Sequence, residues 1–252
     1  MQLIDTHCHF YELNQPENQL TAAQKAGIAK IILPASSKQT WLPIATFAQN
    51  AFFYPAYGLH PFYASNDDLT ALIQWLKTHS CIAIGECGLD YSAAVASEQQ
   101  KAVFLAQIQL ALHYDVPLLI HARKALEAVL HILAQFPNVK FIVHSFSGSD
   151  QQLAKIFALN GMIGIGGSCT YPRAQRLRRQ IAALPDDRYC LETDAPYQPL
   201  CGYQGQKNQP TRLIEIAQTV ATLRGCNIKT VAAESYRNTI AFFPCQRYEE
   251  FY

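Results

Sequence analysis

CIAIGECGLDYSAAVASEQQKAVFLAQIQLALHYDVPLLIHA, residues 81–122, contains the unit from which the whole chain is built. Its first stretch, CIAIGECGL, and its last, VPLLIHA, are short apolar runs of strand length. Between them, Ser97–Tyr114 sets Phe104, Ile108 and Ala111 on one stripe at helical spacing. Strand, helix, strand in that order predicts two parallel strands joined by a right-handed crossover. The same alternation extends in both directions. Apolar or β-branched runs recur at LIDTHCHF (3–10), IAKIILPA (28–35), FFYPAYGLH (52–60), VKFIVHSF (139–146), MIGIGG (162–167) and RYCLETDA (188–195). Together with the first two they make eight, separated by segments of helical periodicity and without sequence self-similarity. Eight strand–helix units in 252 residues fit one α/β domain, a (β/α)8 TIM barrel spanning 1–252. An open doubly wound sheet would also satisfy the alternation, but it would leave the strand-end histidines less convergent. Gly and Pro gather where a barrel needs loops, at 58–61, 164–172 and 195–210, and none of these stretches has the character of an interdomain linker.

Half of the residues are hydrophobic, 15% are charged and the formal net charge is +1. That composition excludes disorder for the bulk of the chain, and no apolar stretch approaches the ~18 residues of a membrane helix. Near-neutrality also argues against broad, nonspecific adhesion to nucleic acid, while leaving room for a local basic patch. The opening MQLIDTHCHF lacks a secretory pattern, and the eight cysteines form no CxxC pair. The expectation is a cytoplasmic protein with reduced thiols. No long apolar stripe is left over once the barrel is built, so a monomer is expected.

Residues able to ligate a metal stand at the C-terminal ends of five of the eight runs: His7 and His9, Glu86, His121, His144 and Asp194. Barrel enzymes place their chemistry on that face. His7 and His9 are two apart, so on a strand they point to one side with Cα atoms ~6.7 Å apart, within reach of one ion. Four imidazoles and two carboxylates at equivalent strand ends have no simple packing explanation, because buried ionisable groups are costly unless paired or metal-bound. Arg123 follows His121 by two, on the same strand face at the rim, where a guanidinium can grip a phosphate bidentately. His60 ends the third run; contact with a phosphate oxygen and a capping role both fit it. Arg173 lies just after the seventh run, near where barrels hold phosphate, whereas Arg176, Arg178 and Arg179 fit a solvated first turn of a helix. His79, His113 and His131 fall in helical segments and read as non-catalytic.

The motifs DTHCHF (5–10), GLHP (58–61), IGECGLDY (84–91), PLLIHARKA (117–125), HSFSG (144–148) and LETDAPY (191–197) together resemble the ordered signature of the TatD family of metal-dependent hydrolases. The resemblance covers nearly the whole chain. GIGGSCTYPRA (164–174) and GYQGQKNQP (202–210) most resemble the family's YjjV branch. It implies a metallo-dependent-hydrolase barrel with two divalent ions, one held by His7, His9, Glu86 and Asp194, the other by Glu86, His121 and His144. A carboxylate has two oxygens and can span two ions, as this role for Glu86 requires. Glu86 and Asp194 are then the catalytic carboxylates, with Asp194 able to accept a proton from water. Asp5 shares the strand parity of His7 and His9, which suits a partner for an imidazole or a buried structural acid equally. The family's usual activity implies a deoxyribonuclease acting from the 3′ end, with DNA or another phosphodiester as substrate and no membrane partner. Its usual ion is magnesium; four imidazoles suit zinc, manganese, iron or nickel better, which leaves the identity of the metal open.

Two departures bear on substrate. Ser92, Ala93, Ala94 and Val95 follow GLDY where many members have an aromatic or basic residue and a longer loop, and the family's RNEP appears as Lys207, Asn208, Gln209, Pro210. Both thin the polynucleotide contacts and leave the metal residues intact. An amidohydrolase-type enzyme acting on a small cyclic amide or ester shares the HxH start and the final Asp. Many such enzymes bridge their metals with a carbamylated lysine, and the fourth run supplies Glu86 and no lysine. A metal-binding protein without turnover is the third reading, and the full ligand set speaks against it.

Overall fold

Eight parallel strands follow one another around the sheet in sequence order: β1 (Leu3–Asp5), β2 (Ile28–Pro34), β3 (Phe53–Tyr57), β4 (Ala83–Asp90), β5 (Leu118–Arg123), β6 (Phe141–Val143), β7 (Met162–Ile165) and β8 (Tyr189–Leu191). The computed structural model describes residues 1–245 and Tyr248. Each strand pairs with the next, and backbone bonds from Thr6 N–H to Leu191 O (3.0 Å) and from Asp194 N–H to His7 O (2.8 Å) bring the last strand back to the first. The fold is the predicted TIM barrel. Helices α1 (Pro16–Lys25), α2 (Lys38–Phe47), α3 (Asn66–Trp75), α4 (Ser97–Tyr114), α5 (Leu126–Leu133), α6 (Asp150–Ala158) and α7 (Gln175–Ala182) fill the crossovers. After a long β8 loop, α8 (Leu213–Arg224) and α9 (Ile228–Phe242) complete the outer ring. Among the described residues no helix is long and apolar enough to cross a membrane, and all eight cysteines are free thiols.

Alternation along the strands divides the interior in two. Ile31, Leu33, Phe53, Leu118 and Ile120 pack in the large core between sheet and helices. Ile32, Tyr54, Leu119, Ile142, Met162 and Cys190 form a separate cluster inside the barrel, with Phe243, Cys245 and Tyr248. His121, His144, Glu192 and Asp194 continue the parity of Leu119, Ile142 and Cys190 towards the C-terminal ends of their strands. The lower barrel is therefore apolar and the upper barrel polar, which places the chemistry where a barrel's loops converge.

Two sequence expectations need correcting. The ladder of β1 ends at Asp5, so His7 and His9 lie beyond the strand, not within it. The backbone there is still tied down, by Cys8 N–H to Ile32 O (3.1 Å) and His9 N–H to Ala195 O (2.8 Å), and the imidazoles converge by this route. His79 falls after α3, not inside a helix, and stacks on Trp75 at 3.6 Å.

Candidate active site

All six residues read as metal ligands meet at the C-terminal mouth of the barrel, around Glu86. Its two carboxylate oxygens face different partners. Oε2 lies 3.5 Å from His7 Nε2 and 3.7 Å from His9 Nε2, while Oε1 lies 2.9 Å from His121 Nδ1 and 3.0 Å from His144 Nε2. Asp194 Oδ1 closes the first group, 3.7 Å from His7 Nε2 and 3.4 Å from His9 Nε2. The ligand atoms of His7, His9 and Glu86 fall within 4.8 Å of one another, as do those of His7, His144 and Asp194.

This arrangement fits metal ions on its own chemistry. Both ring nitrogens of His7 and Nδ1 of His144 are buried without a hydrogen-bond partner, a costly state for polar groups with no cation beside them. The residues around the site also fix which nitrogen each histidine offers. Tyr11 Oη donates to Pro34 O (3.0 Å), so at 2.9 Å it accepts from His9 Nδ1–H and leaves Nε2 free to ligate. His121 Nε2–H donates to Asp90 Oδ2 at 3.0 Å, which turns the Nδ1 lone pair towards Glu86. Burial opposes the charge on Glu86, yet the imidazoles packed around it, His144 foremost, hold its carboxyl well below the usual range. Asp194 is likewise held low against its burial, chiefly by His9 and then His144 and His7.

His60 belongs to the same cluster, with Nε2 3.8 Å from Glu86 Oε1 and its ring 4.2 Å from that of His121. Its Nδ1 accepts from Phe62 N–H at 3.1 Å. Burial pushes its imidazole down to about 4, so the ring is neutral and its proton sits on Nε2, aimed into the site. With that proton in place His60 is a donor; with it displaced Nε2 offers a lone pair, and the ligand atoms of His60, Glu86 and His121 also fall within 4.8 Å of one another.

Arg123 ends β5, exposed, and its guanidinium makes no hydrogen bond or ion pair with the described residues. Arg173 is exposed over the Tyr171 ring at 4.8 Å and lines a cavity of about 280 Å³ shared with Gln198. Arg176 and Arg178 instead bond the carbonyls of Ser147 and Cys169. Asp5 accepts from Thr193 N–H (2.9 Å) and Thr193 Oγ1 (2.6 Å) and touches no imidazole nitrogen, which is the structural alternative.

Four residues around the ligands escaped the sequence reading: Tyr11, Asp90, Glu192 and Gln198. Glu192 accepts from Ser145 N–H at 2.5 Å and lies 3.7 Å from His144 Nδ1; Gly164 opposite has no Cβ, and one there would overlap the carboxylate. Gln198 Nε2 donates to Asp194 Oδ2 and to Ser145 Oγ, both at 2.6 Å. Ser145, Asp194 and Gln198 all hold left-handed φ values, of 47°, 56° and 46°. Such conformations persist in non-glycine residues only where surrounding contacts enforce them. Spacing was the one available signal: Tyr11 is two from His9, Asp90 four from Glu86 and Glu192 two from Asp194.

The model of the TatD-related DNase family matches residues 4–244. Over 253 aligned residues the chain is 36% identical to the uncharacterized metal-dependent hydrolase YjjV of Escherichia coli K12, covering 96% of this chain and 98% of that one. It is 33% identical over 235 residues to the 3′-5′ ssDNA/RNA exonuclease TatD of Erwinia amylovora, covering 88% and 90%. The crystal structure of E. coli YjjV superimposes with a TM-score of 0.88 at 35% identity, over 96% of this chain and 97% of the other.

Proposed function

The chain belongs to the TatD family of metal-dependent hydrolases, and we propose that its reaction is phosphodiester hydrolysis at the ends of DNA strands, proceeding from the 3′ end. The observation that carries this is the division of Glu86 between two sets of imidazoles, Oε2 towards His7 and His9 and Oε1 towards His121 and His144. His7, His9, Glu86 and Asp194 would hold one divalent ion, and Glu86, His121 and His144 the other. Two such ions bound together lower the pKa of water and neutralise charge on a transferring phosphoryl group.

The chain's own groups supply the rest. Asp194, its Oδ2 held by Gln198, is placed to take the proton of the attacking water. His60 Nε2–H faces the same space and donates to a phosphate oxygen as negative charge builds. Arg123, whose guanidinium has no partner among the described residues, pairs with a neighbouring phosphate. The name of the Erwinia relative supports a nucleic-acid strand as substrate, and the absence of lysine from β4 removes the usual bridge of the amide- and ester-cleaving alternative.

The test is hydrolysis of an end-labelled single-stranded oligonucleotide by manganese-loaded protein, beside a simple aryl phosphodiester and a lactone. Release of mononucleotides from the 3′ end is expected. Turnover of the lactone with the oligonucleotide left intact would overturn the proposal.

A further inference from the structure

Among the described residues, four Phe, Tyr or Trp side chains are exposed: Phe62 (46%), Tyr63 (49%), Tyr91 (43%) and Tyr197 (50%). All four stand at the mouth of the barrel, in the loops after β3, β4 and β8. The other exposed large apolar residues, apart from Met1, are the aliphatic Leu42, Ile73, Leu105 and Leu112, scattered singly over α2, α3 and α4. Random exposure would not sort rings from aliphatics in this way.

The rings also frame the reacting centre. Phe62 packs edge-on to His60 with ring centres 4.8 Å apart, and Tyr197 edge-on to His9 at 5.4 Å. Tyr197 Oη donates to Glu12 at 2.5 Å, which fixes that ring while half of it stays open to solvent. Tyr91, on another side, borders a cavity of about 900 Å³ that reaches the metal-ligand candidates at His144 and is edged by Lys101 and Lys124. Exposed Arg123, Lys124 and Arg173 are set around the same mouth. Separate aromatic faces interleaved with cations around one hydrolytic centre match what an unpaired strand presents: bases to stack and phosphates between them.

We propose that Phe62, Tyr63, Tyr91 and Tyr197 form a stacking rim that binds the unpaired bases of a single strand on both sides of the phosphate to be cut. The inference rests on the phosphodiesterase reading and adds what selects a single strand. A base already stacked and paired in a duplex has no free face for these rings. Base stacking on an aromatic side chain tolerates every base, so the rim confers strand selectivity without sequence selectivity.

The test is fluorescence anisotropy with manganese-loaded protein and two phosphorothioate-linked oligomers of equal length and charge, one of thymidines and one wholly abasic. The wild-type chain should bind the thymidine oligomer at least tenfold more tightly. Phe62→Ala and Tyr197→Ala should each lower that affinity by roughly 5- to 150-fold, the range for one base–aromatic contact, and bind the abasic oligomer as before. Tyr197→Phe keeps the ring and loses the bond to Glu12, so it should retain the preference; circular dichroism confirms that each variant is folded. Equal binding of the two oligomers by wild type, or equal weakening of both in the alanine variants, would overturn the stacking rim. Hydrolysis of an unmodified thymidine oligomer is scored separately. Base preference without hydrolysis leaves the rim standing and removes the nuclease reading, whereas hydrolysis without base preference does the reverse.

Discussion

Replacing Asp90 by Ala should weaken one metal ion and spare the other. Asp90 touches no candidate ion directly; its Oδ2 accepts from His121 Nε2–H at 3.0 Å and its Oδ1 from Ser92 N–H at 2.7 Å. Without it the His121 ring loses the acceptor that fixes its tautomer and turns Nδ1 towards Glu86. Removing such a partner typically lowers metal affinity about 10- to 100-fold, or about 1.4 to 2.7 kcal/mol. Ser92 is exposed and its amide can turn to water, so the loss of stability should stay within about 1 kcal/mol. His7, His9 and Asp194 have no contact with Asp90, and the ion proposed for them should bind as before. Tyr11→Phe is the mirror image, since Tyr11 fixes His9 alone among the ligands. Calorimetric titration of the metal-free protein with manganese should show two steps, with a different one weakened in each variant. If both variants weakened both steps equally, or neither step, the assignment of these partners to separate ions would be refuted.

Glu86→Gln should weaken both ions together, because an amide oxygen is a poorer, neutral donor and the carboxylate faces both groups; unchanged metal content would show that Glu86 is no bridge. Arg123→Ala should lose about 1.5 to 3 kcal/mol of transition-state stabilisation on DNA, the range for hydrogen bonds to charged groups, with metal content intact. Arg123→Lys should recover part of it, and equal losses on an uncharged ester would mark Arg123 as structural. Gly164→Ala should destabilise the fold by about 1 to 3 kcal/mol in denaturant unfolding, because the added Cβ overlaps Glu192. In a Glu192→Ala background the same change should cost less, and an equal cost in both backgrounds would contradict the overlap.

The strands were legible because parallel strands covered on both faces become continuous apolar runs, as at 116–122 and 139–146. The candidate ligands stand out in the sequence because each ends such a run with a residue that packing alone does not explain. What escaped depended on contacts between distant parts of the chain. Nothing near Asp90 announces that its carboxylate meets a histidine 31 residues further on. Glu192 meets Ser145 47 residues away, across a gap that exists because Gly164 has no side chain. Strand parity placed His7 and His9 together for a reason that does not hold, since β1 stops at Asp5 and backbone bonds to β2 and the β8 loop position them instead. The sequence leaves His60 open between a phosphate contact and a cap. Its Nδ1 does cap Phe62 N–H, and that same bond leaves Nε2–H pointing into the site.

Anomalous diffraction from manganese-loaded crystals tests the two-ion account most directly. Two peaks about 3.5 to 4 Å apart are predicted, one on each side of the Glu86 carboxylate. The first should lie among His7, His9 and Asp194 and the second between His121 and His144. A single peak at full loading, or two peaks that do not share Glu86, would contradict it.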